Sequence, residues 1–113
     1  MVQNRKKIIE LYISNMANSI LHKVLEKAIE EKEISVKYHK EIATSLTIAR
    51  RYREKIHPID AVLPKKDSEY IRQRITKKVL LELNTRIAKG YKNIDLGIVD
   101  NYIQDSLKES KVI

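Results

Sequence analysis

Apolar side chains recur every three or four residues along most of this chain, the spacing of one face of an α-helix. Near the N-terminus Ile9, Ile13, Met16, Ile20, Val24 and Ala28 form such a stripe, widened by Ala17, Leu21 and Leu25, while Asn15, Asn18, His22, Lys23, Glu26 and Glu30 fall opposite. The pattern predicts one long amphipathic helix over about 4–31. Ser35 follows as a candidate N-cap, preceded by Glu31 and Glu33, whose carboxylates favour the start of one helix and oppose the end of another. Tyr38, Ile42, Leu46, Ala49, Tyr52 and Ile56 then mark the buried face of a second helix over about 35–56, joined to the first as a hairpin.

Both prolines fall in the long connection 57–66, where Pro58 suits the start of a short helical turn and Pro64 its end. Asp67 or Ser68 is the predicted N-cap of a third helix over about 67–89, with Ile71, Ile75, Val79, Leu83 and Ile87 in step and Gly90 as its left-handed terminator. A fourth, over about 95–109, turns Leu96, Val99, Ile103 and Leu107 inward, with Gly97 weakening its first turn. The expected architecture is all-α: a single-domain bundle of about four helices.

Composition agrees and removes several alternatives. A chain of 113 residues suits one domain. Two Gly and two Pro are too few for the hairpins of a β-sandwich or barrel. The absence of Cys excludes disulfides, a thiol nucleophile and cysteine-based metal sites. Abundant Ile, Lys and Glu give a balance typical of heat-adapted proteins. No apolar run approaches the roughly 18–20 residues of a membrane span. Arg5, Lys6, Lys7 and Glu10 also interrupt any signal-peptide core, so a cytoplasmic protein without membrane association is expected.

Charge changes the picture more. The total is +8, from 23 Lys and Arg against 15 Asp and Glu, with a pI of 9.7. Residues 1–36 hold six basic and five acidic side chains, residues 37–92 fifteen and six, and residues 93–113 two and four, so the middle of the chain is a block of +9. Such a block is the electrostatic footprint expected of a protein that meets a polyanion.

Neither Gly90 nor Gly97 lies in a phosphate-loop pattern, and His22, His39 and His57 lack metal-ligand spacing, which leaves them as solvated or rim histidines. His57 before Pro58, with Asp60 three residues on, fits a helix cap with a local hydrogen bond or, as the lesser alternative, an acid–base pair. No set of nucleophile, base and oxyanion donor can be assembled, so a non-enzymatic protein without a cofactor is expected. The candidate contacts lie in the cationic block. Arg74, Lys77 and Lys78, with Leu81, project opposite the Ile75–Val79–Leu83 stripe, and Tyr70 lies at the edge of that face. Lys65 and Lys66 precede this helix, Lys89 and Lys92 follow it on either side of Tyr91, and Arg51 with Lys55 form a second patch one turn apart. Arg50 and Arg53 are expected to snorkel along the rim of the core. Lysine and arginine that neutralise phosphates bind DNA or RNA without reading sequence, and Tyr70 and Tyr91 can stack on unpaired bases. A helix-turn-helix is disfavoured, because the helix after Gly90 is acidic.

Two other readings stand beside this one. The charged faces can be a solvated, heat-stable surface. Alternatively the stripe Ile8, Ile9, Tyr12, Ile13 and Met16 exceeds the needs of an internal core and pairs with another chain, most simply as a homodimer, or within a larger nucleoprotein complex. The Arg-rich hairpin followed by a proline resembles the helical arm of the zinc-ribbon subunit of ribonuclease P. The cysteines of that ribbon are missing, so nothing is carried over from the resemblance.

Overall fold

Helix α1 (Arg5–Ala28) starts where the Asn4 side chain accepts the Lys6 backbone N–H at 3.0 Å, as an N-cap does. It is followed by α2 (Lys32–Ile56), α3 (Lys65–Ala88), a 3-10 turn (Leu96–Ile98) and α4 (Val99–Glu109). The computed structural model describes residues 4–29, 32–57 and 61–113, and it contains no strand among them. The chain is an all-α four-helix bundle, 44 Å long and 24 by 23 Å across.

Several boundaries differ from the sequence expectation. Helix α1 ends at Ala28 because Ile29 is extended, and α2 begins before Ser35, whose hydroxyl donates to Glu26 at 3.5 Å instead of capping. Helix α3 begins at Lys65, since the Pro64 carbonyl already accepts the Ser68 N–H at 3.0 Å. Asp67 is thereby freed to bind Arg5 of α1 through two hydrogen bonds, at 2.6 and 3.3 Å. Asp95 caps the 3-10 turn by accepting the Gly97 N–H at 2.8 Å, and that turn delays α4 to Val99. The short turn expected at Pro58 and the Asp60 partner of His57 lie outside the described residues.

Helix α1 is the centre of the bundle. It packs along α2, while α3 and α4 lean on its other sides. Tyr12, Ile13, Met16 and Ile20 are wholly buried, and Ile8 and Ile9 nearly so. The stripe expected to reach another chain is therefore consumed by the chain's own core, because a helix contacted on several sides buries more than one stripe. The polar side of α1 is also engaged. Asn18 donates to Ser45 at 2.6 Å and to Glu41 at 3.3 Å, Ser19 donates to the Ile42 carbonyl, and His22 meets Tyr38 edge-on at 5.3 Å.

Two helix ends close in the same way. At the end of α3 the N–H of Gly90 reaches the Ile87 carbonyl and that of Tyr91 the Arg86 carbonyl, each at 3.0 Å, with Gly90 at φ 100°. At the end of α4 the N–H of Lys111 reaches Lys108 and that of Val112 reaches Leu107, with Lys111 at φ 57°. Both are Schellman closures, the second built without glycine.

What holds that second closure is Arg53. Its guanidinium is fully buried and donates to the backbone carbonyls of His57 (2.7 Å), Ala61 (2.7 Å) and Lys111 (2.7 and 3.1 Å). The end of α2, the connection after it and the C-terminal segment thus share one cation. Sequence spacing suggests a rim position for Arg53; burial follows because it lies one turn after Ala49 on the inward face, where three carbonyls without helical partners converge. Beside it, Ser110 donates to the Ser106 carbonyl at 2.8 Å, so the Tyr12 hydroxyl, 2.6 Å away, donates to Ser110. Burial pushes the Tyr12 phenol up to about 12.

Candidate nucleic-acid interface

The outward side of α3 is set by the inward positions Ser68, Ile71, Ile75, Val79 and Leu83. With 3.6 residues per turn, Lys66, Tyr70, Gln73, Lys77, Leu81 and Asn84 lie farthest from that stripe, and all are exposed. Lys66 and Lys77 stand three turns apart, about 16 Å along the axis. Neither is within 4.0 Å of a carboxylate among the described residues, and the same holds for Lys78, Lys89 and Lys92.

The expected strip is narrower than the sequence suggests. Arg74 leans toward α1, with its guanidinium 3.6 Å from one oxygen of Glu10, and the Tyr70 hydroxyl donates to the other. Glu10 therefore occupies two of the proposed contacts, a cross-helix pairing that local spacing does not show. That hydrogen bond also raises the Tyr70 phenol above its ordinary value. Lys65 lies 3.9 Å from Glu69, and Arg72 lies 3.6 Å from Asp100 of α4. Lys78 is half-buried and lines a groove with Glu82 and Arg86 of α3 and Asn18 and His22 of α1, whereas Lys77 faces a separate groove with Gln73, Thr76 and Asp100. The three residues expected side by side thus take three directions.

At the far end of α3 the Schellman turn presents Lys89, Tyr91 and Lys92 outward, with Tyr91 49% exposed and its ring open to stacking. Ile87, 40% exposed, lies in the last turn, where α3 runs past the core after Leu83, whereas Leu81, 64% exposed, belongs to the outward face about two turns earlier. On α2, Arg50, Arg51 and Lys55 are exposed, and Lys55 sits 5.6 Å over the Tyr52 ring. Arg51 and Lys55, expected as an isolated pair, belong to a longer row. Lys40, Thr44, Thr47, Arg51 and Lys55 recur at helical spacing opposite the buried Ile42, Ala49 and Ile56, a period that is present in the sequence and that the sequence expectation missed.

Among the described residues no cluster of His, Cys, Asp or Glu could hold a metal ion, and no helix is long and apolar enough to cross a membrane. No protein-family model, no curated protein and no solved structure matches this chain.

Proposed function

We propose that this is a non-enzymatic protein that binds nucleic acid through phosphate contacts, without reading base sequence, from the outward faces of α3 and α2. The observation that carries the reading is the set of exposed cations Lys66, Lys77, Lys89, Lys92, Arg51 and Lys55, none held by a carboxylate among the described residues, inside the +9 block. Cations without a carboxylate partner are available to displace counterions from a polyanion, whereas Arg74 and Arg72 are already engaged. Tyr91 adds a stacking surface for an unpaired base next to two lysines.

The test is fluorescence anisotropy with labelled single- and double-stranded DNA and RNA across a salt series. A log–log slope of about −3 or steeper is expected. Reversal to Glu at Lys66, Lys77, Lys89, Lys92, Arg51 and Lys55 together should abolish binding while the circular dichroism stays helical. Absence of binding by the unaltered protein at low salt sinks the reading.

A second reading, contact with another protein chain, is favoured by the exposure of Ile87 and Tyr91 at the end of α3. Sedimentation velocity separates the two, since Ile87→Glu would dissociate an oligomer built on this end and leave a monomer unchanged.

A further inference from the structure

The two cationic faces look away from each other. On α1, Ser19 reaches α2 at the Ile42 carbonyl, and Glu10 holds Tyr70 and Arg74 of α3. Nine residues separate them, two and a half turns, so they project from opposite sides of α1. Helices α2 and α3 therefore flank α1, and their outward faces diverge.

The outward face of α2 has its own chemistry. Lys40, Thr44, Thr47, Arg51 and Lys55 are all exposed, one per turn over fifteen residues, about 22 Å of helix. No carboxylate among the described residues lies within 4.0 Å of Lys40, Arg51 or Lys55. The row contains cations and hydroxyls and no Leu, Ile or Val. A face of that kind offers little to an apolar protein surface and suits a line of phosphate oxygens, which accept from Lys, Arg and Thr alike.

We infer that the protein bridges two nucleic-acid segments, one laid along α3 and one along α2, with α1 as the spacer. The inference rests on the phosphate-contact reading above and adds that the two rows are separate sites. A rigid duplex seated on one row has the body of the bundle, 24 by 23 Å across, between it and the other.

The experiment uses a 30-base-pair DNA duplex attached to beads and a second, fluorescent duplex of the same sequence in solution, with the whole protein added. Retained protein reports the first contact and retained fluorescence the second. The unaltered protein should hold the fluorescent duplex at least tenfold above beads without protein. Neutralising α3 (Lys66→Gln, Lys77→Gln, Lys89→Gln) or α2 (Lys40→Gln, Arg51→Gln, Lys55→Gln) should leave protein on the beads and cut retained fluorescence at least tenfold. A mixture of the two variants should restore nothing. These are exposed positions, and circular dichroism confirms that each variant folds; if one triple does not, its single substitutions are compared instead. Protein on the beads with no fluorescence overturns bridging alone. Restoration by the mixture overturns it in favour of self-association. Absence of protein from the beads at low salt overturns the phosphate-contact reading, and bridging with it.

Discussion

Arg53 shows how much one side chain can decide. Four hydrogen bonds from a buried guanidinium tie the end of α2 and the connection after it to the C-terminal carbonyl of Lys111, and desolvation acts against its charge, lowering its pKa. Removing the cation strands those acceptors. Arg53→Met should cost about 3–5 kcal/mol in urea unfolding, and Arg53→Lys should recover little, because an ammonium cannot span the fork. A cost under about 1 kcal/mol would show that water or a local shift replaces the clamp. Tyr12 makes a prediction in pH. Its folded pKa of about 12 is raised above the unfolded value of 10, so its contribution is whole below pH 10 and is lost as pH climbs from there toward 12. Two pH units correspond to about 2–3 kcal/mol. Urea unfolding at pH 9 and 11.5 should show that loss, and Tyr12→Phe should flatten it; equal alkaline slopes in the two proteins would contradict the assignment.

At the scale of elements, the two Schellman closures form a natural pair. Gly90 sits at φ 100° with open space around the position of a side chain, so Gly90→Ala should destabilise by about 1–2 kcal/mol from backbone strain alone. Lys111 occupies the equivalent position at φ 57° as an L-residue, so Lys111→Gly should stabilise by up to about 1 kcal/mol. Opposite signs in thermal unfolding are expected. A destabilising Lys111→Gly would mean that the lysine side chain contributes more than its backbone costs. The α1–α3 contact adds an acid limb. Arg5, chiefly through its hydrogen bond, holds Asp67 below its usual pKa, so the pair stabilises above the ordinary carboxylate range and its contribution is lost as pH falls through the depressed value. Asp67→Asn should lessen the loss of stability below pH ~4, measured by urea midpoints from pH 5 to pH 2. The helices themselves are legible in the chain's own periodicity. Ile9 to Val24, Ile71 to Leu83 and Val99 to Leu107 carry their periods openly and are buried as expected. The caps are less legible, since Ser35 and Asp67 sit in sequences suited to capping and are recruited by Glu26 and Arg5, partners brought close only by folding.

For the molecule as a whole, binding from two diverging faces predicts additivity. Each triple neutralisation should reduce the magnitude of the DNA salt slope for its own site by about 3, at roughly 0.9 per phosphate contact. Because α1 separates the rows, their effects should sum without coupling. A coupling term as large as either single effect would place both rows on one ligand. Periodicity and composition were sufficient for the all-α class, the number of helices and the concentration of net positive charge in residues 37–92, because burial stripes and net charge are properties of local order along the chain. Tertiary structure alone decided which charges remain available. It set Glu10 against Arg74 and Tyr70, Asp100 against Arg72, and the Lys111 carbonyl against Arg53, all contacts between groups far apart in sequence. It also decided that α1 lies between α2 and α3, turning one cationic block into two outward rows. Neither outcome is encoded in any window of neighbouring residues, since each depends on where helices meet and on which partner then lies within hydrogen-bond reach.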